Sequence, residues 1–198
     1  ARHTTDVDSV FTDEGVDAVV IGSPTPLHIP HLLAAAKAGK AVLCEKPIAL
    51  DMKDVEAAQA ELDAVTVPVM FGFNRRFDPS FAAARAAVEA GRIGDIEQLT
   101  IISRDPAAPP AEYIKVSGGI FRDMTIHDFD MARWLLGEEI VSIQVISPTP
   151  TRHALDGVVD PQVSIFRMES GAVVTNEVFV SSRTGYEVRV EAVGEDGS

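Results

Sequence analysis

Apolar positions recur along this chain in two rhythms, and the switch between them divides it. Asp17 to Ser23, DAVVIGS, is a short β-branched run, the pattern of a parallel strand buried on both faces. A proline-rich turn follows, then a helical pattern from Leu27 to Ala38 that Gly39 ends. Ala41 to Cys44 reads as the next strand, Asp51 to Leu62 as a helix with Asp51 as its cap, and Val67 to Phe73 as a third strand. Strand and helix alternating over short connections predict a parallel sheet flanked by helices. In such sheets function gathers at the carboxyl ends of the strands.

Past Phe77 the rhythm changes. Asp78 to Ala90 is an amphipathic helix closed by Gly91, and Ile96 to Ser103 is a strand. Asp105 to Ala111 holds three prolines and reads as a loop over a cleft. Ser117 to Gly137, SGGIFRDMTIHDFDMARWLLG, reads as one uninterrupted helix, opened by two glycines and stopped by a third. Ile140–Ile146, Gln162–Met168, Ala172–Val180 and Glu187–Val193 include runs that alternate polar with apolar, such as VTNEVFV and EVRVEAV. They suit an antiparallel sheet with one face buried, with Glu169-Ser170-Gly171 as a tight hairpin connection.

Composition narrows the partners. A net charge of −13 argues against nucleic acid or an anionic membrane, since either needs a basic surface. One cysteine, Cys44, leaves no internal disulfide and points to a reducing cytoplasm. No apolar run approaches the ~20 residues of a membrane helix.

Candidate chemistry sits inside the long helix. Asp123, His127, Asp130 and Trp134 fall at steps of four, three and four, so one helix face carries them all, with Met124, Asp128, Met131 and Leu135 on the neighbouring row. A carboxylate one turn before an imidazole can orient the ring and support its charged form, which makes an acid/base device. The plainer alternative is a solvated surface pair. Flanking Trp, Phe and Met favour a cleft. At the strand ends the chain delivers Ser23-Pro24-Thr25-Pro26-Leu27-His28, then Glu45-Lys46-Pro47, then Asn74-Arg75-Arg76. The Lys46 ammonium there can polarise a substrate oxygen, or it is a loop lysine paired with Glu45. His28 and His31 stand three apart on a helix, but no cysteine or nearby carboxylate completes a set of ligands, so no metal site is expected.

Taken together, SPTPLH, AAKAGKAVLCEKPIAL, GFNRRFD and SGGIFRDMTIHDFDMARWLLG resemble the Gfo/Idh/MocA family of nicotinamide-dependent sugar oxidoreductases, and within it the inositol 2-dehydrogenases. The resemblance covers nearly the whole chain. It implies α/β architecture: a partial Rossmann-type domain over residues 1–76, then an α+β domain over 77–198 with a large, mostly antiparallel open sheet. The glycine-rich G-x-G-x-x-G loop of a Rossmann domain is not present, so the chain reads as an internal fragment lacking roughly 50 residues of βαβ structure at its start and the family's last strands at its end. Such a fragment is expected to be inactive alone.

The resemblance further implies Lys46, Asp123 and His127 as catalytic residues, with His127 the general base in oxidising a cyclic polyol, myo-inositol to its 2-keto form. A sugar reductase and a silent sugar sensor are the alternatives. NAD is the expected cofactor, with NADP as the alternative, lined by Ser23, Pro24, His28, Glu45, Lys46, Pro47 and Asn74. Substrate contacts fall to Lys46, Arg76, Tyr113, Asp123, His127 and Tyr186, with Asn74 and Lys115 as further candidates; the alternative for Tyr186 is an exposed sheet tyrosine. Asp128 is either another contact or a structural partner of Arg133 or Arg122. A homodimer or homotetramer assembled through the C-terminal sheet completes the expectation.

Overall fold

A computed structural model describes residues 2–149 and 158–198, which divide into two compact units, Ala1–Phe73 and Asn74–Ser198. The division falls three residues before the expected line. Arg75 and Arg76 explain the shift, because both spend their guanidinium groups on aspartates of the second unit.

In the first unit, β1 (Ala18–Ile21), β2 (Ala41–Cys44) and β3 (Val69–Phe71) form a parallel sheet in the order β1-β2-β3. Helices α2 (His28–Lys37) and α3 (Met52–Leu62) make the connections, as the alternation predicts. Asp51 caps α3 by accepting from the Lys53 amide. A six-residue helix that the pattern did not announce, α1 (Val7–Thr12), opens the unit under the Asp6 cap. Phe11, Ile21, Leu32, Ala35, Val42 and Cys44 form the core. The strands are apolar on both faces, yet among the described residues of this unit the helices cover only one. Val20, Leu43 and Met70 occupy one register row on the other and are exposed.

The second unit begins with a 3₁₀ turn at Asn74–Phe77 and helix α4 (Pro79–Glu89), whose Asp78 cap accepts from the Ser80 and Phe81 amides. Its sheet runs β5-β6-β7-β4-β8, from β4 (Ile96–Arg104), β5 (Ile140–Ile146), β6 (Gln162–Met168), β7 (Val173–Phe179) and β8 (Glu187–Gly194). Every pairing is antiparallel except β4 with β7. Residues 169–171 make the hairpin between β6 and β7, closed by the Met168 amide donating to the Ala172 carbonyl at 3.0 Å. Leu99, Ile101, Phe166 and Val174 from the sheet bury against Met131, Ala132 and Leu135.

The expected loop runs as far as the last of the three prolines, and directly after it comes a short helix that the pattern did not announce, α5 (Ala111–Ser117). One expectation for the middle of the chain needs correcting: the 117–137 segment is not one uninterrupted helix. Gly118 and Gly119 both take positive φ, 85° and 81°, so the glycine pair stops α5 rather than opening a second helix. Next comes a π-turn over Phe121–Thr125, and only then α6 (Ile126–Leu136). The third glycine behaves as read: Gly137, at φ 75°, ends α6 in the left-handed conformation.

Candidate active site

In the first unit the strand ends are tied together by backbone. The Glu45 amide donates to the Ile21 carbonyl at 2.9 Å, and the Gly72 amide to the Cys44 carbonyl at 2.8 Å, continuing the ladder past each strand into its loop. Gly72 packs closely on Glu45: a Cβ there would stand 2.8 Å from Glu45 Oε2 and 3.3 Å from its Cα, so the Glu45 side chain would have to move to make room for one. His28 binds these loops from inside. It is 2% exposed, with Nδ1 2.7 Å from the Pro47 carbonyl oxygen and Nε2 2.7 Å from that of Ser23. His28, expected to line the cofactor, is thus placed between the two loops, its ring joining the loop after β1 to the loop after β2. Ser23 and Lys46 are half-buried and Glu45 is exposed at those loops. The Ser23 hydroxyl lies 3.3 Å from His31 Nδ1. Pro47 is buried behind Lys46, across a cis peptide bond.

In the second unit the candidate acid/base pair straddles the junction of two windings. Asp123 lies within the π-turn and His127 is the second residue of α6, both half-buried. A π-turn inserts an extra residue between hydrogen-bonded groups, and such turns concentrate at functional positions. Tyr113 on α5 donates to Asp123 Oδ1 at 2.8 Å. Desolvation, with Asp123 adding to it, pushes the Tyr113 hydroxyl up to about 12, so it remains a donor at neutral pH. The side chain of Lys115, one of the further contacts proposed from sequence, lies outside the described residues.

The neighbouring row of the helix faces the sheet, and Asp128 on it is fully buried. Neither Arg133 nor Arg122 is its partner. Arg75 Nη1 donates to Asp128 Oδ1 at 2.5 Å, and the Ser103 hydroxyl on β4 donates to the same oxygen at 2.6 Å. Arg133 instead pairs with Glu139, and Arg122 reaches the Gly118 carbonyl. Burial pushes the Asp128 carboxyl above its ordinary range, with the Arg75 cation opposing. Arg76 grips Asp130 through two bonds, Nε to Oδ2 at 2.9 Å and Nη2 to Oδ1 at 2.5 Å. Arg85 on α4 closes the far end of α6, donating to the Trp134 and Leu135 carbonyls that the helix leaves unpaired.

Two groups that pattern reasoning passed over belong to this region. Asp105, the first residue after β4, has its carboxyl raised by desolvation, with the Arg75 cation opposing and Asp123 adding. Ser103 was read only as a strand end. Its signal was a polar residue at a position whose alternation with Leu99 and Ile101 points inward. Tyr186 is different: it precedes β8 on the sheet end that carries Arg104, and it is 74% exposed.

Comparison with known proteins names the architecture. The oxidoreductase family with an NAD-binding Rossmann fold matches residues 1–73, and the GFO/IDH/MocA C-terminal domain matches residues 81–198. The inositol 2-dehydrogenase of Rhizobium meliloti (strain 1021) is 46% identical over 196 residues, covering 97% of this chain and 59% of that protein. The myo-inositol 2-dehydrogenase of Thermotoga maritima is 43% identical, covering 97% and 58%. Among solved structures, a myo-inositol dehydrogenase from Corynebacterium glutamicum superposes with a TM-score of 0.90 at 42% identity, covering 98% of this chain and 59% of that one. The myo-inositol dehydrogenase of Lactobacillus casei, solved in complex with NAD(H) and myo-inositol, gives 0.90 at 28% identity, covering 100% and 58%. This chain thus spans about three fifths of the length of the relatives it matches. With a family model matched across each of its two units, the chain belongs to the GFO/IDH/MocA oxidoreductase family.

Proposed function

We propose that the full-length protein oxidises a ring hydroxyl of a cyclic polyol, with myo-inositol as its substrate. The observation that carries this reading is the Asp123–His127 pair set across a π-turn, its carboxylate held by Tyr113. His127 takes the hydroxyl proton, and Asp123, four residues earlier, steadies the ring and supports the imidazolium that results. A positioned general base is worth roughly 10² to 10⁴ in rate. Lys46 stabilises the negative charge that grows on the hydroxyl oxygen as the proton leaves, an effect of about 10² to 10³ for one well-placed donor.

NAD, when bound, supplies the hydride acceptor. The first unit suits it at the carboxyl ends of its parallel strands, where ligands of such sheets gather. Ser23, Pro24, Glu45, Lys46, Pro47 and Asn74 would hold it. Tyr113 and Tyr186 are assigned to the polyol hydroxyls, and Arg76 contributes whatever N–H groups Asp130 leaves over. The protein acts in the cytoplasm as a homo-oligomer. Two exposed apolar residues paired on the sheet face away from α6, Ile146 and Val163, support assembly through that sheet. No helix among the described residues is long and apolar enough to cross a membrane.

The test is a substrate panel. Full-length protein given NAD with inositol isomers and hexoses should generate reduced cofactor fastest with an inositol. Absence of turnover with every polyol would contradict the reading.

A further inference from the structure

Asp128 follows His127 directly and makes no use of its charge at the surface. Its carboxylate is one corner of a closed triangle: Arg75 and Ser103 both donate to Oδ1, and Arg75 Nη2 also donates to the Ser103 hydroxyl at 3.1 Å. Each corner comes from a different element, the 3₁₀ turn, β4 and α6. All three side chains are buried or nearly so, Arg75 being 10% exposed. From β7, Asn176 lies close enough to favour the carboxylate's charge, without forming a well-aligned hydrogen bond.

An ion pair this deep is a poor source of stability. Apolar side chains of similar volume usually do as well or better, because they avoid the cost of desolvating two charges. What it does supply is direction. Apolar packing tolerates sliding, whereas a carboxylate held by two donors on separate elements fixes both the rotation and the height of its helix. The place where that matters is one residue away. His127 stands one residue past the junction of π and α winding and Asp123 lies before it, so the winding between them sets where the ring and the carboxylate stand relative to each other. Arg76, next to Arg75, repeats the constraint at Asp130 two residues further on.

Resting on the role assigned above to His127, we propose that Asp128 is a positioning residue: clamped by Arg75 and Ser103, it locks the π-turn and sets the bearing of the His127 ring on the substrate hydroxyl. The clamp acts on turnover and not on binding, since Asp128 itself has no exposed surface with which to touch a polyol.

Two variants of the full-length enzyme test this. Asp128→Asn should lower kcat by tenfold or more, with KM for NAD and for inositol within threefold of the parent. Hydrogen exchange of the amides from Phe121 to Met131 should quicken in the same variant. The double variant Arg75→Met with Asp128→Leu removes both charges together, so it should regain the parent's melting temperature and still keep the kcat deficit. Recovery of turnover along with stability in the double variant would overturn the proposal, as would an Asp128→Asn enzyme within twofold of parental kcat. Should the parent oxidise no polyol at all, the functional reading fails by itself. Exchange then decides the clamp: quickened amides support it, and unchanged amides in Asp128→Asn overturn it.

Discussion

The two units hold their candidate residues by opposite means. Around Lys46 the loops are fixed largely by main chain: amides of Glu45 and Gly72 extend the ladder, and a buried His28 meets carbonyl oxygens on both sides. Around His127 the helix is fixed largely by side-chain charge, with Arg75 on Asp128, Arg76 on Asp130 and Arg85 on the terminal carbonyls. A loop held through backbone tolerates many side chains and keeps its shape. A helix held by buried charge keeps one orientation and is harmed by the loss of any single partner. The first suits a site for a cofactor common to many enzymes, the second an acid/base group whose bearing must be right.

That contrast can be broken first at Lys46. In the full-length enzyme Lys46→Met should cost about 10² to 10³ in kcat, roughly 3–4 kcal/mol of transition-state stabilisation, while circular dichroism and melting stay as in the parent. A comparable fall in stability would show that Lys46 also holds its loop. On the other side, Leu135→Ala removes a side chain that is 1% exposed in the core beneath α6. The expected loss is about 2–5 kcal/mol in unfolding free energy by urea titration, with midpoint lowered and slope unchanged. A loss well under 1 kcal/mol would contradict a division of labour in which packing supplies the stability of α6 and charge only its orientation.

Tyr113 sharpens the comparison more gently. The residue is 45% exposed, so Tyr113→Phe should cost no more than about 1 kcal/mol, or up to tenfold in kcat. The pH dependence comes from a raised value. The bond to Asp123 stays intact below the ordinary phenol value of about 10, and is lost as pH rises through about 12. Ultraviolet titration of the parent minus Tyr113→Phe should therefore show phenolate forming near 12. Formation near 10 would place Tyr113 away from Asp123.

Much of this was legible from pattern alone. Ala41–Cys44, Ile140–Ile146 and Gln162–Met168 fall where the alternation puts them, and Asp51 and Asp78 cap the helices they precede. These features are local, decided by residues within a turn or a strand of each other. The π-turn escaped because its sequence, FRDMT, carries no local signal that separates it from α-helix; the choice is made by tertiary packing. Arg75 and Asp128 lie 53 positions apart, and nothing in an arginine pair or in an HDFD run says which carboxylate meets which guanidinium. His28 illustrates the same gap. Its place after a strand end says that it lies near the expected cofactor rim, but not that two loop carbonyls, 19 and 5 positions away, meet its ring.

The pair on the π-turn is best tested by removing the base. In the full-length enzyme, with NAD and myo-inositol, His127→Ala should lose 10² to 10⁴ in kcat while the Kd for NAD stays within twofold of the parent. Turnover unchanged in His127→Ala would contradict an acid/base role for the helix, however firmly its arginines hold it.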